Sequence, residues 1–203
     1  LSSGVWIQAS HGGGAVHWSS RSRHIYVASM MKADLPHGDI FWRPQRPPFF
    51  LCYARCMQCK YIDAHCHLQF EQYANDDAEL IGRMRAEGVA GIVVGVDRES
   101  SEKAITLAEK HEHLYAAVGL HPNHDATERY DISYYRSLAM SPKVVAIGEC
   151  GLDYYRIPTN ETASSAEATK AKQRELFKQH IALAAELDKP LIIHCRPSKG
   201  SQD

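Results

Sequence analysis

This chain of 203 residues has no run of apolar side chains near the roughly 20 needed to span a bilayer as a helix, so residence within a membrane is not expected. It also lacks an excess of either charge. With 23 basic and 24 acidic residues its formal net charge is -1, which excludes a protein that coats nucleic acid through a broad basic face. Cysteines are few, six in all (Cys52, Cys56, Cys59, Cys66, Cys150, Cys195), too sparse over this length for a small secreted scaffold held by disulfides. No basic start leads into an apolar core with a small-residue cleavage site, so no secretory signal is expected and a reduced, cytoplasmic setting fits. What is left, 44% hydrophobic and 23% charged residues, is the make-up of an ordinary soluble globular protein.

Composition changes along the chain. Residues 1–56 hold six basic residues (Arg21, Arg23, Lys32, Arg43, Arg46, Arg55) against two acidic ones (Asp34, Asp39), and all three tryptophans (Trp6, Trp18, Trp42). The run Gly12-Gly13-Gly14 and the prolines Pro44, Pro47 and Pro48 interrupt any sustained helix or strand period there. The segment is expected to be a poorly ordered or non-native leader. Met57 is one candidate natural start, with Met30 and Met31 as competitors. A basic, aromatic-interleaved arm that stacks on single-stranded nucleic acid is the other reading of the same composition.

From Lys60 onward, within the expected hydrolase region 57–203, the pattern is regular. Short apolar runs at Tyr61-Ile62, Gly91–Val96, Leu114–Gly119, Val144–Ile147 and Pro190–Ile193 read as strands, and helices are expected at about 76–87, 100–111, 131–139 and 167–187. Gly88 is the expected C-cap of the first helix. Strands that read as continuous apolar runs and alternate with helices imply a parallel sheet covered on both faces. The fold class is therefore α/β. Five strands and four helices permit an open doubly wound sheet or the first part of a (β/α)8 TIM barrel, and periodicity alone favours neither.

The chemically interesting residues recur at the carboxyl ends of those strands, the rim where α/β folds assemble their sites. Asp63-Ala64-His65-Cys66-His67 follows the first strand, Gly119-Leu120-His121-Pro122 the third, Gly148-Glu149-Cys150-Gly151-Leu152-Asp153-Tyr154 the fourth, and His194-Cys195-Arg196 the fifth. On an extended chain His65 and His67 project to the same side, so one metal can accept both imidazoles. With Glu149 and His194 they make the histidine and carboxylate set suited to Zn, Mn or Mg. His111, His113 and His180 fall on or beside helical segments, and solvent-facing roles are expected for them. Arg196 is suited either to two hydrogen bonds with a phosphate or to a surface ion pair.

These four segments, together with the flanking residues Tyr61-Ile62, Leu68, Ala146-Ile147, Tyr155 and Pro190-Leu191-Ile192-Ile193, resemble the signatures of the TatD-type metal-dependent hydrolases, in that family's order. The resemblance implies a (β/α)8 barrel with two divalent metal ions at its rim, hydrolysing phosphodiesters in DNA. It implies that His65 and His67 bind one metal, that Glu149 bridges two, and that His194 binds the second. Asp63 would support the adjacent ligands, while His121, Asp153 and Arg196 would line the substrate side. Gln69 departs from the Asp or Asn usual at its position, a change expected to touch local support and not ligation.

Two rival readings come from other features. Cys52, Cys56 and Cys59 have the spacing of three thiolates that hold an iron–sulfur cluster in radical S-adenosylmethionine enzymes, although Gln58 replaces the aromatic residue usual before the last of them. A non-catalytic metal-binding fragment is the second rival. Only 141 residues run from Asp63 to Asp203, against roughly 250 in a typical barrel, so only the first five strands are expected here. The resemblance calls for a further His and a further Asp on later strands. The 203-residue chain is therefore expected to be inactive by itself, and residues 1–56 are expected to add nothing to catalysis.

Overall fold

The computed structural model describes residues 59–74, 76–124, 128–157 and 162–199, together with strand segments at 6–8 and 24–28. In chain order the elements are β1 (Trp6–Gln8), β2 (His24–Ala28), β3 (Tyr61–Cys66), a 3-10 turn (Glu71–Tyr73), α1 (Asp77–Glu87), β4 (Val89–Val94) and α2 (Arg98–Lys110). They continue with β5 (Leu114–Val118), α3 (Ile132–Ala139), β6 (Val144–Asp153), α4 (Ala163–Leu187) and β7 (Leu191–Arg196). Helix boundaries obey local chemistry. Gly88 ends α1 in the left-handed region at φ 72°, and Asp97 and Ser100 cap α2 reciprocally through side chain and backbone.

The order of strands in the sheet resolves what periodicity left open. β3, β4, β5, β6 and β7 lie side by side in sequence order, each parallel to the last. A doubly wound sheet reverses direction part-way, whereas a barrel adds every new strand on the same side. This sheet never reverses, and it is the first five-strand part of a (β/α)8 barrel. Residues 1–56, expected to be a poorly ordered leader, contribute β1 and β2 and otherwise lie outside the described residues. Those two strands pair antiparallel with β3 and β7, at the two edges of the parallel set.

Both faces of β4, β5 and β6 are largely buried, which is why these strands read as unbroken apolar runs. Val89 and Val93 of β4, Leu114, Ala116 and Val118 of β5, and Leu191 of β7 pack with Ile81, Ala104, Ala108, Tyr135 and Leu183 from the helices. Alternate residues Ile92, Val94, Ala117, Ala146 and Ile192 form a second, smaller cluster on the opposite face.

Candidate metal centre

The strands run further than their apolar cores suggest. β3 reaches Cys66, β6 reaches Asp153 and β7 reaches Arg196, so His65, Glu149, Asp153, His194 and Arg196 belong to hydrogen-bonded strand and not to loops. The remaining pieces are laced to neighbouring strands through the backbone: His121 N–H donates to Val96 O at 2.8 Å, and Glu149 N–H donates to Gly95 O at 2.9 Å. Gly151, at φ +134°, lies where any Cβ would collide with the carbonyl of His194. That absent side chain lets β6 and β7 approach beside Glu149.

Glu149 is the centre of the arrangement, its side chain only 8% exposed. Its Oε2 is 3.3 Å from His65 Nε2 and 3.9 Å from His67 Nε2, and the two imidazole nitrogens are 3.1 Å apart. Its Oε1 is 2.9 Å from His194 Nδ1 and 3.8 Å from His121 Nε2. Two groups of donor atoms result, His65 with His67 and Glu149, and His121 with Glu149 and His194, either of which could hold a metal ion. They share the one carboxylate. The residues singled out for ligation from sequence thus come together, and His121 joins them.

The hydrogen bonds around the cluster fix which lone pairs face inward. His67 Nδ1–H donates to Val94 O at 2.9 Å, leaving Nε2 as the acceptor nitrogen toward Glu149. Gln69 Nε2 donates to the same carbonyl at 2.8 Å, so the departure from the family pattern acts on the support of His67. Asp63 accepts from His65 N–H at 3.1 Å and holds that backbone. His121 differs, because its Nδ1 accepts from Asn123 N–H at 3.0 Å. In the neutral ring the proton then sits on Nε2, the nitrogen facing Glu149, which suits donation to a substrate oxygen better than metal ligation.

Several buried atoms here have no hydrogen-bond partner, among them His65 Nδ1, His194 Nε2 and Asp153 Oδ2. The last two are only 3.2 Å apart, yet their approach is not that of a hydrogen bond. If His194 donates through Nδ1 to Glu149, its Nε2 lone pair confronts a carboxylate oxygen, an arrangement that costs free energy until a cation or proton lies between them. The donor set therefore fits a divalent ion on an observation independent of any sequence pattern.

Charge behaviour agrees. Burial alone would raise the pKa of Glu149, but hydrogen bonds from His194 and His65 and the nearby imidazoles hold it well below the ordinary carboxylate value. Burial lowers His67, and His65 beside it lowers it further against the opposing pull of Glu149. His121 is pushed down to about 4, chiefly by burial. An ionised Glu149 beside His67 and His121, both biased toward the neutral ring, is suited to accept a metal ion with little release of protons. Asp63 is shifted the other way, upward, by burial.

The other expected site residues sit close by. Asp153 is fully buried, and Arg156 reaches it with Nε 3.5 Å from Oδ2. The Arg196 guanidinium lies 3.7 Å over the ring of Tyr155. Sequence reasoning missed two supports, both on α4. Gln173 clamps the Asp153 backbone, accepting from its N–H at 2.9 Å and donating to its carbonyl at 3.1 Å. His180 accepts from Leu120 N–H at 3.0 Å through Nε2 and donates to Leu176 O through Nδ1 at 2.9 Å, next to His121 in the chain. The solvent-facing roles expected for His180 and His113 are corrected by their burial, 0% and 7% exposed. The signal was available: Gln173 and His180 are seven residues apart, on the helical stripe that carries Leu176, Leu183 and Leu187.

Of the three cysteines in the iron–sulfur reading only Cys59 is among the described residues, where it is disulfide-bonded, a departure from the reduced state expected of the cysteines, and Cys52 and Cys56 lie outside the described residues. Cys66, Cys150 and Cys195 are free thiols. Among the described residues no helix is long and apolar enough to cross a membrane.

Comparison with known proteins converges on one family. A family model described as "TatD related DNase" matches residues 62–202. A protein of Bacillus subtilis (strain 168) named "Uncharacterized metal-dependent hydrolase YabD" is 42% identical over 138 residues, 66% of this chain and 50% of that protein. The "3'-5' ssDNA/RNA exonuclease TatD" of Cronobacter sakazakii is 39% identical over 138 residues, 66% of this chain and 49% of its own length. The crystal structure of YJJV, a TatD homologue from Escherichia coli K12, superposes with a TM-score of 0.54 at 30% identity, covering 66% of this chain and 50% of that one. The chain spans about half the length of the curated relatives it matches.

Proposed function

We propose, on the premise that this chain belongs to the TatD-related DNase family, that the intact protein is a divalent-metal-dependent hydrolase cleaving phosphodiester bonds in single-stranded nucleic acid, DNA above all. The observation that carries this reading is Glu149 shared between two histidine groups with unsatisfied buried acceptors alongside. A relative named as an exonuclease of single-stranded DNA and RNA supports the substrate class. In this reading His65 and His67 would hold one ion and His194 a second, with the Glu149 carboxylate shared between them. Bound ions of this kind neutralise phosphate oxygens and lower the pKa of a water nucleophile.

The chain's own residues do the rest. His121 presents its Nε2–H to the substrate, because Nδ1 is committed to Asn123. Asp153, anchored at its backbone by Gln173, faces His194 and completes the negative side of the site. Arg196 stands at the end of β7 as a cation for phosphate. Residues 57–203 carry this machinery and 1–56 take no part in it. The 203-residue chain by itself is expected to bind metal without turnover, since the further His and Asp that the family resemblance calls for are not among its strand ends.

Elemental analysis and a nuclease assay test the reading together. Metal should copurify with the chain or bind on titration, and His65→Ala and Glu149→Ala should each reduce it. An extended form of the protein that carries the remaining barrel strands should cleave single-stranded DNA in a metal-dependent manner. Unchanged metal in both variants would overturn the ligand assignment, and turnover of carboxylic esters or amides in place of phosphodiesters would overturn the substrate class.

A further inference from the structure

A single-stranded nucleic acid offers two things that a duplex hides or dilutes, an unstacked base face and a flexible run of phosphates. With a net charge of -1 the chain as a whole has little attraction for a run of phosphates, so a local cluster of cations and rings is the feature to look for. The described large hydrophobic side chains left exposed are Tyr61, Met140 and Tyr155. Tyr61 begins β3 and Met140 precedes β6, both at the amino ends of strands. Tyr155 is the one at the rim, two residues beyond Asp153.

Its surroundings are cationic. The Arg196 guanidinium carbon lies 3.7 Å from the ring centroid and Lys199 Nζ lies 5.0 Å from it. The adjacent Tyr154 repeats the pattern, with Lys170 Nζ 4.7 Å from its ring. β6 and β7 hold the pair in place, because Asp153 and Arg196 are register partners and Tyr154 N–H donates to Arg196 O at 2.9 Å. The same Asp153 has its Oδ2 3.2 Å from His194 Nε2, which ties this patch to the candidate metal centre.

We infer that Tyr155, with Arg196 stacked on it and Lys199 beside it, is a base-stacking and phosphate-contacting platform that holds single-stranded nucleic acid next to the metal centre. This rests on the proposed function. An aromatic ring carrying a guanidinium presents a flat π surface to a base and a delocalised charge to the neighbouring phosphate. The contact reads no particular base, since every base has a π face. It favours strands whose bases are free over duplexes whose bases are stacked on each other.

The test compares a short fluorescein-labelled oligothymidylate with an abasic oligomer of equal length, which keeps the phosphates and has no bases. Fluorescence anisotropy reads binding to the full 203-residue chain in Mg2+ and again in EDTA. The wild-type chain should bind oligothymidylate about tenfold more tightly than the abasic strand, and Tyr155→Leu should remove most of that preference. Tyr155→Phe should retain it, because the ring and not the hydroxyl stacks, and circular dichroism of both variants reports whether the fold is kept. Should Tyr155→Leu not fold, Tyr155→Trp carries the test, with a tighter complex expected and an unchanged one counting against the platform. Equal binding of both oligomers, or oligothymidylate binding indifferent to the residue at 155, would overturn the platform and leave the hydrolase reading intact. Failure of the chain to bind either oligomer under both conditions would overturn the platform and the nucleic-acid reading together.

Discussion

His180 and His194 are both withdrawn from solvent, and they are treated in opposite ways. His180 is fully buried under the rings of Tyr130 and Tyr135 and has each nitrogen matched to a backbone group, one donor and one acceptor. His194 faces two carboxylates, and its Nε2 finds no hydrogen-bond partner. A buried polar group that is fully satisfied stabilises the fold, whereas one left unsatisfied costs about 1–3 kcal/mol and needs a reason to persist. Isolated orphans such as His113 Nε2 and Tyr130 Oη carry little meaning alone. At the rim the unsatisfied atoms of His194 and Asp153 converge beside two histidine groups on one ionised carboxylate, and that convergence is what distinguishes a ligand site from a packed interior.

The largest effect that would break this contrast is at Glu149. Glu149→Gln keeps the volume but removes the charge shared by both histidine groups, so affinity for a divalent ion should fall by about 100-fold or more, measured by calorimetric titration. Retention of wild-type affinity would mean that the rim is another satisfied polar cluster. His180→Ala should do the reverse. It should lower unfolding free energy in urea by about 3 kcal/mol, through a cavity and an orphaned Leu120 N–H, and leave bound metal in the folded protein nearly unchanged.

Acid sharpens the same distinction. Burial, opposed by the hydrogen bond to Leu176 and assisted by the charge of His124, lowers His180 from its ordinary 6.5 to about 4. The folded protein therefore keeps this ring neutral over a range in which the unfolded chain takes up a proton. Its contribution is fully present above about pH 6.5 and is lost as the pH falls toward 4, on the order of 2–3 kcal/mol. Urea unfolding across that interval should show a shallower pH slope in His180→Ala than in the wild-type chain, and equal slopes would contradict the buried neutral ring.

Two smaller changes probe the supports. Gln173→Leu leaves the N–H and carbonyl of buried Asp153 without their clamp and should lower stability by about 1–2 kcal/mol, with weaker metal binding as Asp153 shifts. Gln69→Leu should cost at most about 1 kcal/mol, because His67 Nδ1–H still satisfies Val94 O, and metal affinity should change only a few-fold. A Gln69 effect as large as that of Glu149 would promote Gln69 from support to ligand.

Much of this was legible in the residues themselves. Polar segments closing four apolar runs mark the rim, and the one-residue spacing of His65 and His67 puts both imidazoles on one side because an extended chain alternates its side chains. The exact reach of the strands was not, since Asp153 is a strand residue by virtue of pairing with Arg196 of β7, and Glu149 is held by the carbonyl of Gly95, hydrogen bonds that apolar patterning does not register. Nor was the burial of His180, where helical position was weighed more heavily than the apolar stripe it shares with Leu176 and Leu183.

The amino-acid sequence by itself determined an alternating α/β chain, the helix cap at Gly88, and the ligand types waiting at strand ends, because each depends on neighbours close along the chain. Tertiary structure alone decided that the strands wind one way around a barrel and never reverse. It also brought Glu149, more than eighty residues from His65, between two histidine groups, and it assigned protons to imidazole nitrogens through backbone partners such as Val94, Asn123 and Leu176. Strand order and lone-pair direction arise from contacts between distant segments, and local propensity has no purchase on either.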